Sequence, residues 1–377
     1  MVVAATSQAM VGAVLSARYR LLRLLGEGGM GAVFDAQDLQ GQGRYAIKIL
    51  HPEYATDERV LSRFYAEAEA MSRLVHPHIA RCFGYALAED RSPYLIMELL
   101  DGSSLASYLK PGLAYDAQYA VPIGRALLAA LGEAHRQGVV HRDIKPDNVF
   151  LARNPEGPPI VKVLDFGIAK LMDAAGGMMS KTRTGMLLGT PSYMSPEQIR
   201  NAKAADRRSD LWSVGVVLYE LFTGREAFPA PNELAKLTQV LTTDPVRVDQ
   251  GKPHLAPWRG FFARALAREP EQRFASAEEM EHALTATERA AAVAPVSTTD
   301  LSPELPHGIA VSGQAPQIRV VAPSRPPSSP PFAPDTTLRA SDVPVVVRSG
   351  VAPWLVAVVA LLCLALGFAA GFVVGRL

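Results

Sequence analysis

Cysteine is nearly absent: Cys82 and Cys363 are the only two in a chain of 377 residues. They lie far apart and outside any CxxC spacing, so neither a disulfide framework nor a cysteine metal site can be built from them. Net charge is nearly absent as well, at a formal +1, which removes any global pull toward nucleic acid or an acidic partner. The first basic residue is Arg18. The mildly apolar beginning (Val2, Val3, Met10, Val11, Val14, Leu15) therefore lacks the positive n-region of an export signal, and residues 1–18 read as a short arm. No internal repeat is visible.

Composition divides what is present. Residues 19–286 alternate apolar runs with turn signals, as a globular domain does. Residues 287–350 are dominated by Pro, Ser, Ala and Val, as in Ser324-Arg325-Pro326-Pro327, and cannot bury enough apolar area to offset ordering entropy. They read as a disordered linker with an r.m.s. span of roughly 45 Å. PxxP registers at Pro323, Pro326, Pro327 and Pro330 offer a second use, docking to proline-reading domains. Residues 351–375 carry no charge. As a helix they extend roughly 37 Å, enough to cross a hydrocarbon core of about 30 Å. Arg348 and Arg376 bracket them and Trp354 sits near one end, which predicts a single C-terminal membrane anchor. With Leu377 ending the chain, no sensor domain is expected beyond it. Gly367, Gly371 and Gly375 form two overlapping GxxxG patterns, a route to a homodimer of anchor helices.

The globular region carries the chemistry. Leu25-Gly26-Glu27-Gly28-Gly29-Met30-Gly31-Ala32-Val33 sits between apolar runs that read as strands. Glycines at 26, 28 and 31 let backbone amides close over phosphates. Tyr45-Ala46-Ile47-Lys48-Ile49-Leu50 alternates, which puts Lys48 on the face of Ala46 and Leu50. A lysine there needs partners; phosphate oxygens and a carboxylate from a following helix would serve. In the helical stretch Glu58 to Leu74, Glu67 shares a stripe with Met71 and Leu74 and is the candidate. Farther on, His141-Arg142-Asp143-Ile144-Lys145-Pro146-Asp147-Asn148 and Asp165-Phe166-Gly167 supply two acids and an amide, the oxygen inventory for a hard cation and an oriented hydroxyl.

Together with Ser195-Pro196-Glu197, these motifs stand in the order found in protein kinases. The stretches Gly26-Glu27-Gly28-Gly29-Met30-Gly31, Asp101-Gly102-Ser103-Ser104-Leu105 and Gly189-Thr190-Pro191-Ser192-Tyr193-Met194-Ser195-Pro196-Glu197-Gln198 resemble the bacterial serine/threonine kinases of eukaryotic type. That resemblance implies an α+β, bilobal fold: a β-sheet lobe with one helix, then a mostly helical lobe. It implies ATP and Mg2+ (Mn2+ as an alternative), with protein substrates. Lys48 would hold the α- and β-phosphates and Glu67 would hold Lys48. Asp143 would take the substrate hydroxyl proton, Lys145 would neutralise the moving phosphoryl group, and Asn148 and Asp165 would bind the metal. Met97 would back the adenine pocket, with Leu25, Val33 and Ala46 on its faces and the backbones of Glu98 and Leu100 at its edge. Lys145 and Thr190 mark the serine/threonine type, Thr190 by bonding Asp143 and Lys145.

Other motif residues read as scaffold. His141 and Phe166 would stack with Met71, Glu197 and Arg273 would form a buried ion pair, and Asp210 would hold the catalytic-loop backbone. Between Asp165 and Glu197 the loop carries Ser180, Thr182 and Thr184. Phosphate at Thr182 and Thr184 could pair with Arg142 and order it, so autophosphorylation there is expected. A catalytically dead scaffold would lack one of Lys48, Asp143, Asn148 or Asp165, and all four are present. Tethering would place the kinase domain on the cytoplasmic side of the membrane.

Overall fold

A computed structural model describes residues 7–28, 31–41, 43–51, 58–166, 191–201 and 204–293. The first lobe is a sheet. β1 (Val14–Leu15), β2 (Tyr19–Gly28), β3 (Gly31–Asp38), β4 (Arg44–Leu50), β5 (Cys82–Leu87) and β6 (Pro93–Glu98) are ordered β1-β2-β3-β4-β6-β5, with every neighbouring pair antiparallel. Alternation sorts the two faces. Leu21, Phe34, Ala36, Ile47, Ile49 and Ile96 build an apolar core on the outer face, while Val33, Ala46 and Lys48 point the other way. The helix α1 (Glu58–Arg73) packs on β5, with the Tyr65 and Tyr85 rings 5.5 Å apart.

The arm is more than a lead-in. Ser7–Met10 makes a 3-10 turn, and β1 extends the sheet by pairing Leu15 with Tyr19 and Val14 with Arg20. A two-residue strand is too short to show a periodic pattern, which is why the sequence reads only as an arm.

The second lobe is helical. β7 (Gly102–Ser104), β8 (Val149–Ala152) and β9 (Ile160–Val163) form a small antiparallel sheet. It is followed in space by α2 (Ala117–Arg136), α3 (Pro196–Arg200), α4 (Arg207–Thr223), α5 (Glu233–Thr242), α6 (Arg259–Ala265) and α7 (Ala277–Val293). α4 is buried without a break from Ser209 to Tyr219, as expected of a helix that is apolar nearly all round. Asp206 caps its start and Gly224, at φ +65°, its end. Gly124 lets α2 close on α4 and α7: a Cβ there would lie 2.9 Å from both Leu218 and Leu284. Phe222, Trp258, Phe261 and Phe262 form an aromatic cluster, the first two 4.4 Å apart.

α7 runs on to Val293, past residue 286, where composition turns toward the linker. Among the described residues no helix is long and apolar enough to cross a membrane. The anchor 351–375 with Gly367, Gly371 and Gly375, and the rest of the linker, lie outside the described residues. So do Gly167, Ser180, Thr182, Thr184 and Thr190.

Candidate active site

Between the lobes lies a cavity of about 420 Å³. Leu25, Gly26, Val33, Ala46, Met97, Glu98, Leu100 and Asp165 all line it. Across the sheet Gly26 pairs with Val33, Val33 with Lys48 and Lys48 with Leu95, and of these Gly26 and Val33 line the cavity. Met71 and Phe166 also line it, and the Phe166 ring packs 4.7 Å from that of His141. The Glu98 side chain turns to Lys162 at 3.0 Å, and its amide donates to the Arg81 carbonyl.

The glycines have separate reasons. A Cβ on Gly31 would fall 2.0 Å from the Ile49 carbonyl oxygen, so close strand approach excludes any side chain. A Cβ added to Gly26 or Gly28 would meet nothing within 4 Å, which leaves the hairpin open toward a ligand. His51 Nε2 donates to the Gly28 carbonyl at 3.0 Å.

Lys48 differs from the sequence-based expectation. Among the described residues its ion-pair partner is Asp165, 3.0 Å away, from the other lobe, and not a carboxylate of the following helix. Glu67 sits half-buried on α1. Asp165 reaches Lys48 from a left-handed backbone at φ +54°, a conformation uncommon outside glycine that sequence pattern does not reveal.

The catalytic loop is wired tightly. Lys145 Nζ lies 2.8 Å from Asp143 Oδ2. The Asn148 amide NH2 donates to the Asp143 carbonyl at 2.8 Å and to Oδ2 at 3.0 Å, which leaves the Asn148 carbonyl oxygen as a ligand. With Asp165, the donor set is all oxygen and fits Mg2+. His141 donates from Nε2 to the Leu164 carbonyl at 2.8 Å and accepts the Asp143 N–H at Nδ1. The ring thereby ties the catalytic loop to the strand that delivers Asp165.

Arg142 is left-handed too, at φ +66°. Strain of this kind persists only where neighbours over-determine it, and here they do. Asp210, buried on α4, accepts the His141 N–H at 2.9 Å and the Arg142 N–H at 2.7 Å, while His135 Nε2 lies 2.8 Å from it. Gln198 Nε2 donates to the Arg142 carbonyl at 2.8 Å. Gln198 also accepts the Ser195 N–H in a capping box that opens α3. The Ser-x-x-Gln spacing announces that cap in the sequence; its reach to the catalytic loop has no sequence signal.

Glu197 and Arg273 form the expected buried pair, with two 2.8 Å contacts. Burial works to raise the Glu197 carboxyl. The hydrogen bonds and charge of Arg273, with a bond from Ser209, outweigh it and hold the group at about 2. The Arg273 guanidinium also sits 4.8 Å over the Trp212 ring. Beside the catalytic loop, a second cavity of about 440 Å³ is lined by Pro146, Asp147, Tyr193, Glu220 and Glu226. Burial, and then the Glu226 charge, push Glu220 up to about 7 against the hydrogen bond from Tyr193. Cys82 is inert in the core, its thiol raised by burial to about 11.

A two-lobed fold with a glycine-rich hairpin, a lysine–aspartate pair across the cleft and an Asp-Lys-Asn catalytic loop defines a protein kinase. Residues 19–285 match the protein kinase domain family, and the chain belongs to it. It is 39% identical over 282 residues to the serine/threonine-protein kinase pkn3 of Myxococcus xanthus, covering 74% of this chain and 51% of that one. It is 36% identical over 278 residues to the serine/threonine-protein kinase PknL of Mycobacterium tuberculosis, covering 74% and 67%. The crystal structure of the Mycobacterium tuberculosis PknI kinase domain superposes with a TM-score of 0.57 at 27% identity, covering 74% of this chain and 98% of that chain. The chain spans about half the length of pkn3.

Proposed function

We propose that the chain transfers the γ-phosphate of ATP to serine or threonine hydroxyls of proteins, with Mg2+. The observation that carries this is the hydrogen-bonded set of Asp143, Lys145 and Asn148 beside the Lys48–Asp165 pair, joined where the Leu164 N–H donates to the Asn148 backbone carbonyl at 2.9 Å. Asp143 is half exposed, with its Oδ2 held by Lys145 and Asn148. That arrangement fixes a carboxylate to orient a substrate hydroxyl and receive its proton. Lys145 places positive charge beside the point of transfer. Lys48, 12% exposed and paired across the sheet with Val33, would take phosphate oxygens. Mg2+ held by Asn148 and Asp165 would neutralise charge on the phosphates.

The same reading extends to control. Autophosphorylation at Thr182 and Thr184 would bring phosphate to Arg142, and residues 351–375 would tether the enzyme to the cytoplasmic face of a membrane, with Gly367, Gly371 and Gly375 pairing two anchors. The experiment is ATP-dependent phosphorylation of a generic protein substrate by purified chain, beside Asp143→Asn, with mass mapping of both. Phosphoserine or phosphothreonine from the unaltered chain alone is expected, with Thr182 and Thr184 modified. Equal transfer by Asp143→Asn refutes the reading.

A further inference from the structure

Residues 7–15 lie against the glycine-rich hairpin from the side opposite the cavity. Ser7 is buried, and its Oγ donates to Glu27 Oε1 at 2.6 Å. On β2, Glu27 stands between Gly26 and Gly28, and its ladder partner is Ala32, a member of the outer apolar core. Gly26 pairs instead with Val33, and both line the cavity. Cross-strand partners share a face, so Glu27 faces away from the cavity and Ser7 meets it from behind.

The arm is fastened along its length. The Gly12 N–H donates to the Leu21 carbonyl at 2.8 Å, and the Leu21 N–H to the Ala13 carbonyl at 2.9 Å. Met10 and Val11 pack on the outer core, and Leu15 is part of it. Ser16 Oγ reaches the Leu87 carbonyl at 3.1 Å and the Tyr94 hydroxyl at 2.8 Å. The anchored stretch thus ends in a hydrogen bond on the one strand end that carries both Leu25 and Gly26 into the cavity.

We propose that residues 7–15 are a clasp on the nucleotide-binding hairpin, with Ser7 a positioning residue for nucleotide affinity. The proposal rests on ATP being the ligand of the cavity. Leu25 to Gly28 are exposed, and two of the four are glycine, so ordering them on binding is entropically costly. A hydrogen bond to a carboxylate that holds Glu27 beforehand removes part of that cost, and preorganisation of this kind appears as affinity. For one partly exposed bond to a charged acceptor, a 3- to 10-fold effect is expected, by an order-of-magnitude argument.

The test uses the full chain as wild type, Ser7→Ala, Ser7→Thr, Glu27→Ala and Ser7→Ala/Glu27→Ala. The dissociation constant of MgATP is measured by calorimetry, beside KM for ATP and kcat on a generic protein substrate. Ser7→Ala and Glu27→Ala should each weaken MgATP binding and raise KM by about 3- to 10-fold with kcat within about twofold. The double variant should be no worse than the weaker single, and Ser7→Thr should restore affinity. Unchanged binding in Ser7→Ala, additive losses in the double variant, or equal losses in kcat and binding would overturn the clasp while leaving the kinase reading in place. A wild type that binds no MgATP overturns both.

Discussion

Replacing Arg273 with methionine should be among the most damaging single changes in the helical lobe. The Arg273 side chain is fully buried. Besides Glu197 it donates to the carbonyls of Ala267, Arg268 and Arg208. Methionine fills much of the volume but leaves the Glu197 carboxylate, 11% exposed, with the Ser209 hydroxyl and no cation. Leaving one buried charge of a pair costs about 3–5 kcal/mol. Against burial, Arg273 and Ser209 depress the Glu197 carboxyl from the ordinary 4.5 to about 2, which corresponds to about 3 kcal/mol. Since the folded value is the depressed one, this stabilisation is full above pH ~4.5 and is lost as pH falls toward 2. Urea unfolding of wild type and Arg273→Met at pH 7 should therefore differ by about 3–5 kcal/mol, and by less at pH 3. Glu197→Gln/Arg273→Met should recover part of the loss at pH 7, since no buried charge remains. A difference under about 1 kcal/mol at pH 7, or one that does not shrink in acid, would refute the argument.

Three further outcomes follow from the same geometry. Glu220 titrates near 7 when folded and near 4.5 unfolded, so its contribution is full below pH ~4.5 and falls away as pH rises through 7; Glu220→Gln should raise the thermal midpoint at pH 8 more than at pH 5, and an equal shift at both would count against it. Gln198→Leu removes the donor to the Arg142 carbonyl and should lower kcat by about 10-fold or more with KM for ATP little changed; steady-state kinetics that show KM moving instead would place its role elsewhere. Gly31→Ala must push the Ile49 carbonyl aside and should cost about 1–3 kcal/mol in chemical denaturation, whereas Gly28→Ala, in open space, should stay within about 0.5 kcal/mol.

Much of the site is legible because its motifs are local. Asp143, Lys145 and Asn148 lie within six residues of one another, and their mutual hydrogen bonds follow from a single loop conformation. Strand alternation places Ala46 and Lys48 on one face without knowledge of the other lobe, and Val33 joins them through the resemblance. The Glu197–Arg273 pair and the hold of Asp210 on the catalytic loop span long sequence distances and are still expected from the resemblance; what stays illegible has no motif to carry it or depends on backbone strain. Among the described residues the ion-pair partner of Lys48 is Asp165, 117 positions along the chain, and it reaches the lysine through a left-handed φ. Gln198 reads as a helix cap, and nothing in its neighbourhood says that its other end holds Arg142. The clasp at Ser7 is hidden for a third reason: a lone serine in a weakly apolar stretch has no pattern at all.

Contacts from Asp210, Gln198 and His141 share one target, the catalytic loop. Asp210 fixes the amides of His141 and Arg142, Gln198 fixes the Arg142 carbonyl, and His141 joins the loop to Leu164. The peptide units on the two sides of Arg142 are therefore held by one residue from α4 and one from α3. A left-handed Arg142 costs on the order of 1–3 kcal/mol, and the charged acceptor Asp210 with two backbone donors, each worth roughly 1.5–3 kcal/mol, is enough to offset it. The strain at Arg142 and the buried aspartate on α4 are thus one device: without Asp210 the loop should relax, and Asp143 would lose its orientation before it lost its charge. Asp210→Asn keeps the volume but only one of the two acceptor oxygens, so one of the bonds to the His141 and Arg142 amides is lost and the other weakened; it should depress kcat more than it depresses folding. Far-ultraviolet circular dichroism with steady-state kinetics on the same sample separates the two, and a loss of structure that accounts for the whole loss of rate would sink the idea.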